Sequence, residues 1–193
     1  MRLVNGTQDF KNNIYPSMRE EFSRLKEGQS PETLFITCSD SRIDPSLVTQ
    51  TQPGELFVIR NAGNIVPLPG SGDLSVEATV HYAVEVLKVK HIVVCGHSHC
   101  GAVTGLLNLE SLDSLPVIRD WVKRSESILD QIDDKSQIPE AIAANVMLQL
   151  DHLREYECVR SAIDQRQMEL HGWVYHFESG EVEFLNNETN DVV

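Results

Sequence analysis

Apolar residues recur at helical spacing between positions 12 and 26, where Ile14, Met18, Phe22 and Leu25 form one stripe. Gly28 and Pro31 supply the stop. The pattern then changes period. TLFITC (33–38) is a continuous β-branched and aromatic run bounded by Pro31 and a polar loop, which predicts a buried strand. ELFVIR (55–60), after the Pro53-Gly54 turn, predicts a second, and HIVVC (91–95) a third. Between the last two, LSVEATVHYAVEVLK predicts a helix over 73–88, with Asp73 or Ser75 as its N-cap. Helical patterns fill most of 101–170, and Pro116 and Pro139 suit the first turns of separate helices. GWVYHFESGEVEFL closes the pattern as two strands around a Ser179-Gly180 turn. Short apolar strands alternating with helices predict an α/β fold. It is a mostly parallel β-sheet covered by helices, with an antiparallel edge strand and an N-terminal helical arm.

No repeat or low-complexity linker divides the 193 residues, so a single domain over 1–193 is expected, with residues 1–12 and the polar tail 186–193 as flexible ends. Composition is that of an ordinary globular protein, 41% hydrophobic and 23% charged. The net charge of −13 argues against nucleic acid as a partner, because phosphate binding needs clustered Lys and Arg. No apolar run approaches membrane-spanning length and MRLVNGTQDF has no apolar leader core, so no membrane partner is expected and the cytoplasm is the default compartment. Four cysteines without a secretory leader suggest reduced thiols or metal ligands rather than disulfides.

The chemistry concentrates in VVCGHSHCGAV (93–103), where two cysteines and two histidines share six positions after an apolar run. Cys95 closes that run and reads as a small packed residue, and Cys158, in a distant helical pattern, as a core or surface thiol. His97 and Cys100 are three apart at a strand-to-helix junction, a spacing that lets both converge on one point, while His99 between them points away. Ligands in an α/β sheet gather beyond the carboxyl ends of strands, where Cys38 also ends its strand. Cys38, His97 and Cys100 therefore form a candidate zinc set, and three protein ligands leave a fourth position for water, as catalytic sites do. The alternative is a closed structural zinc with His99 or Asp40 as fourth ligand. CSDSR (38–42) adds Asp40 two residues after the first cysteine and Arg42 two further on, close enough to grip the carboxylate, orient it and hold it off the metal.

With CSDSR and GHSHCG separated by 59 positions from Cys38 to His97, the chain resembles the β-class carbonic anhydrases, in their plant-like and bacterial branch. The likeness extends through PGELFVIRNAGN, VHYAVEVLKVKHIVV and HGWVYHFESG, most of 12–185. It implies one Zn2+ per chain on Cys38, His97 and Cys100, and reversible hydration of carbon dioxide to bicarbonate and a proton. Attack would come from zinc-bound hydroxide oriented by the catalytic pair Asp40 and Arg42. It places Gln29, Phe57, Ala62, Tyr82 and Gly101 around the substrate pocket, Phe57 and Ala62 as apolar wall and Gln29 or the Gly101 N–H as oxyanion donor. It also implies a homodimer or higher homo-oligomer, with the N-terminal helix wrapping the partner. In another branch a regulatory bicarbonate is held partly by a Trp where this chain has Phe35. Arg60 and Tyr175 match the rest of that triad, but without the indole it is incomplete, so the open form is expected, with Asp40 on Arg42. His99, His81 and Tyr82 are proton-shuttle candidates, none compelling. Two rival readings share the zinc set: a hydrolase of carbonyl sulfide or carbon disulfide, and a non-catalytic zinc-stabilised scaffold subunit.

Overall fold

The structure, a computed structural model, describes residues 1–185 and divides into two compact units, Met1–Ser30 and Pro31–Val193. The polar tail 186–193 lies outside the described residues. In the first unit the helix starts well before the predicted position 12. Helix α1 (Arg2–Asp9) runs through a π-helical stretch (Phe10–Ile14) into α2 (Tyr15–Leu25). Val4, Asn5, Gly6 and Thr7 are poor helix formers. Continuing a helix that α2 has already nucleated costs far less than starting one. None of its residues is buried, and Phe10, Tyr15 and Phe22 cluster along it, Phe10 edge-on to the other two rings.

The second unit is built on a five-stranded sheet of order β2-β1-β3-β4-β5. Strands β1 (Thr33–Cys38), β2 (Leu56–Asn61), β3 (His91–His97) and β4 (Glu169–Tyr175) are parallel, and β5 (Val182–Phe184) pairs antiparallel to β4 at the edge. β2 sits one position later than its predicted span, and two boundaries differ from the sequence reading by more than one residue. β3 continues past Cys95 to His97 because Gly96 and His97 pair with Val174 and Tyr175, and β4 begins at Glu169, within a stretch that reads as helical, because Glu169 pairs with His91. Tertiary pairing, not local propensity, sets both ends.

Helices α4 (Leu74–His81), α5 (Gly101–Leu107), α6 (Pro116–Val122), α7 (Ile138–Arg154) and α8 (Glu157–Asp164) all contribute to one large core. That core lies on the sheet face carrying Leu34, Ile36, Ile92 and Val94. A short helix α3 (Pro45–Thr49) follows β1. The opposite face holds a smaller cluster of Phe35, Ile43, Val93 and Cys95, extended by Trp173, Tyr175 and Phe177. Asp73, not Ser75, caps α4, its side chain accepting from the N–H groups of Ser75 and Val76, and π-helical residues Tyr82–Leu87 carry that helix to a left-handed Lys88. Pro116 and Pro139 occupy first-turn positions of α6 and α7. Gly96 lets α7 approach β3: a Cβ there would sit 2.8 Å from Val146 Cγ2 and 3.2 Å from Ile142 Cγ2. Among the described residues no helix is long and apolar enough to cross a membrane.

Candidate functional site

The carboxyl ends of β1 and β3 and the start of α5 bring Cys38, His97 and Cys100 together, their ligating atoms all within 4.8 Å of one another. All three are buried, His97 completely. The Ser98 carbonyl lies 2.8 Å from His97 Nδ1. A carbonyl can only accept, so Nδ1 carries the proton and Nε2 presents its lone pair. Nε2 is buried and has no hydrogen-bond partner. An orphaned acceptor beside two sulfurs is a group built to hold a cation, because leaving it unmatched is costly. Two thiols and an imidazole are the donor set that binds borderline and soft divalent metals.

Between themselves the two sulfurs compete for one negative charge. The hydrogen bond from Cys100 draws the Cys38 thiol down to about 4 against the opposing effect of burial, with help from His97 and the Gly63 N–H. Cys38 and burial in turn push Cys100 up. Burial disfavours charge on His97, but the Cys38 sulfur, the Ser98 carbonyl and Asp40 outweigh it and raise its pKa.

Asp40 lies beside the cluster, its Oδ2 3.9 Å from His97 Nε2. Arg42 holds it in a fork: Nε donates to Oδ1 at 2.9 Å, Nη2 to Oδ2 at 2.7 Å, and the Arg42 backbone N–H to Oδ1 at 2.9 Å. These bonds, the guanidinium's first among them, keep the Asp40 carboxyl well below the usual carboxylate range despite partial burial. Arg42 is itself positioned by the His99 carbonyl at 3.2 Å and by the Phe177 ring, whose centroid is 4.6 Å from the guanidinium carbon. The same ring lies 5.0 Å from that of His97.

The remaining sequence candidates separate. Gly101 opens α5 beside Cys100. The carbonyl of Ala62 accepts from Trp121 Nε1 at 2.7 Å. Phe57 and Tyr82 pair with each other, ring centroids 5.8 Å apart. Phe57 stands opposite Leu34, four positions before Cys38 on β1, or about 13 Å along the strand. The chain thus does not bring that ring pair to the cluster. Gln29 lies in the N-terminal unit, exposed, in the loop after α2. His99, in the left-handed conformation at φ 55°, turns its ring to Glu178. His81 bonds Glu85 at 3.0 Å. Phe35 packs against Trp173 rather than facing the site, and Tyr175 packs against Phe177. Cys95 is fully buried, which pushes its thiol up to about 12, and half-buried Cys158 is raised by burial as well.

Sequence reasoning missed the scaffold behind the ligands. Arg60 donates to the carbonyls of Cys38, Asp40 and Ile43 at 3.1, 2.7 and 2.9 Å, fixing the loop that carries Asp40. The loop 61–67 donates the Gly63 N–H to Cys38 Sγ at 3.3 Å. Gly63 has φ +81°, and a Cβ there would lie 2.9 Å from the Ala102 Cβ. Buried Asn145 and Gln149 of α7 hold that loop: Asn145 Nδ2 donates to the Gly63 carbonyl at 3.0 Å, and Gln149 accepts from the Val66 N–H at 2.8 Å. Gln149 Nε2 donates in turn to Asn145 Oδ1 and Ser125 Oγ, completing the network. Polar residues on the apolar face of a long helix were the available signal; their partners, about eighty positions away, were not.

Comparison with known proteins places this geometry. A family model described as carbonic anhydrase matches residues 33–182. A carbonic anhydrase of Synechococcus elongatus is 43% identical over 200 residues, covering 98% of this chain and 73% of its own length. One of Pseudomonas aeruginosa is 42% identical over 197 residues, covering 99% and 90%. Among solved structures, the β-carbonic anhydrase CcaA superposes with a TM-score of 0.91 at 42% identity, covering 96% of this chain and 94% of that one. A structure from a study of two tetrameric β-carbonic anhydrases of Sordaria macrospora gives 0.84 at 32% identity, covering 95% of each chain.

Proposed function

We propose that this chain, which belongs to the carbonic anhydrase family in its β class, catalyses the reversible hydration of carbon dioxide with a zinc ion held by Cys38, His97 and Cys100. The observation that carries the reading is the orphaned, buried Nε2 of His97 converging with two cysteine sulfurs beside a clamped carboxylate. When bound there, zinc supplies a Lewis acid that brings the pKa of a water towards about 7.

The chain's own residues do the rest. Cys38 and Cys100 supply negative charge matching that of a divalent cation, and the Gly63 N–H steadies the Cys38 sulfur. The Ser98 carbonyl fixes the His97 tautomer, so its ring cannot rotate away. Asp40 stays ionised because Arg42 occupies one side of both carboxylate oxygens. The free lone pair of Oδ2, on the His97 side, would accept a hydrogen bond from the attacking water and so orient it towards the substrate carbon. An ion pair with no catalytic task would not need such placement, which speaks against a purely structural metal.

The chain works as a homo-oligomer. The support is an N-terminal helix with no buried residue and with Leu3, Val4, Phe10 and Ile14 exposed, together with a relative described as tetrameric. Light scattering on the purified protein tests this, and a monomer would refute it.

The catalytic reading is tested by stopped-flow hydration alongside metal analysis. Cys38→Ser should lose zinc and activity together. Asp40→Ala should keep zinc and lose roughly 10²–10⁴-fold in rate, the range for a positioned acid or base. Full activity in a zinc-free wild-type protein would overturn the proposal. Parallel assays with carbonyl sulfide and carbon disulfide test the substrate.

A further inference from the structure

The opposite end of β3 carries a second set of ligand-type side chains. His91 opens β3, Glu169 opens β4 as its register partner, and His171 follows two positions on, so all three project from one face of the sheet. Their ligating atoms also lie within 4.8 Å of one another. His91 Nδ1 and His171 Nε2 share a hydrogen bond at 3.1 Å, whose proton a bound cation would replace, with Glu169 Oε2 at 3.7 and 3.8 Å from them. The nitrogen separation is informative. Two imidazoles on one cation at a bond length of about 2.0–2.1 Å stand about 2.8–3.4 Å apart for angles between octahedral and tetrahedral. The pair is therefore already spaced as an edge of a coordination shell, on two hydrogen-bonded strands that cannot easily drift. The carboxylate is slightly further out, but it is exposed and free to close.

Charge nearby is compatible with a cation. Lys90, the adjacent base, is engaged by the Glu32 carboxylate. The Glu32 carbonyl accepts from the Lys90 and His91 N–H groups at 2.8 and 3.1 Å, and the Lys90 carbonyl from Glu169 N–H at 2.9 Å, so both strand starts are pinned.

We propose that His91, Glu169 and His171 form a second metal site, separate from the Cys38, His97 and Cys100 set, that takes one divalent transition cation of nitrogen and oxygen preference. Two imidazoles and a carboxylate suit Zn2+, Co2+ or Ni2+, and the exposed side leaves positions for water. His91 and His97 begin and end the same strand, so the two sites stand about 20 Å apart and can be read independently. A cation at the outer site ties β3 to β4 at their amino ends.

The test is a Co2+ titration of protein carrying one equivalent of zinc per chain, with zinc content followed throughout. The expected result is one further equivalent of cobalt per chain, with weak d–d absorption, no sulfur-to-cobalt charge transfer and zinc retained. His171→Gln should abolish that equivalent. Glu169→Gln, an exposed change that does not threaten folding, should weaken it by at least the roughly tenfold that losing even an outer partner of a metal ligand costs. Both variants should retain zinc and hydrate carbon dioxide at the wild-type rate. Absence of a saturable second equivalent, cobalt that enters only with thiolate bands, or cobalt binding unchanged in both variants would overturn the proposal. None of these outcomes bears on the zinc reading of the cysteine set.

Discussion

The two ends of β3 place the same residue type in opposite circumstances. His97 is fully buried, its Nδ1 committed to a backbone carbonyl, and it faces two sulfurs across a loop held by polar residues of α7. His91 is 39% exposed at its side chain and meets a histidine and a carboxylate at the sheet rim. Burial at the first end shields the donors from bulk solvent and fixes each one, so a cation held there would exchange slowly. At the second end solvent reaches the ligands and the set is exchangeable. Depth and donor softness, more than the presence of histidine, separate the two.

The sharpest way to break this contrast is to exchange the two histidines' fates. His97→Gln should lose the metal and cut hydration by roughly 10³-fold or more, since a metal Lewis acid is worth several kcal/mol of barrier. His91→Gln should leave hydration within about 2-fold, as expected away from the reacting atoms. Comparable losses in stopped-flow rates for both would erase the distinction between the ends.

A smaller effect probes the scaffold of the buried end. Asn145→Ala unpairs the Gly63 carbonyl and one bond of Gln149. It should cost about 1–3 kcal/mol in denaturant unfolding and speed zinc loss to a chelator. Unchanged zinc release would show that the loop 61–67 holds its shape without α7.

The smallest effect lies at the far end of that loop. The buried Tyr156 hydroxyl donates to the Pro67 carbonyl at 2.7 Å, and burial, with Glu77 and Asp73, pushes its pKa up to about 12. Since the folded value exceeds the unfolded value of about 10, the neutral hydroxyl contributes stability that is complete below pH 10. It is lost as pH rises through 12. Tyr156→Phe should cost about 1 kcal/mol near neutrality and flatten the stability profile between those two pH values. An unchanged alkaline profile would refute the assignment.

Much of this molecule is legible along the chain. The strands beginning at Thr33 and His91 are continuous apolar runs, and the helices starting near Pro116 and Pro139 carry their own signals. The cluster of Cys38, His97 and Cys100, and the Asp40–Arg42 pair beside it, were legible as candidates because residue type and spacing are local: His97 and Cys100 are three apart, and Asp40 and Arg42 follow Cys38 within four. The start of β4 was not, because Glu169, Leu170 and His171 include none of the β-branched or aromatic residues that mark a strand, and they become one by pairing with β3. Phe177, which touches both His97 and Arg42, had no local mark at all.

The kinds of donor, their order and the layered α/β plan were therefore written into local stretches of chain, since periodicity and donor chemistry reside in neighbouring residues. Which atoms meet was settled by the folded architecture. It set the tautomer of His97, the clamp of Arg60, the α7 amides under the cysteine loop, and a histidine pair joined across strands eighty positions apart. Those depend on sheet register and helix packing, which bring together residues that carry no information about one another along the chain.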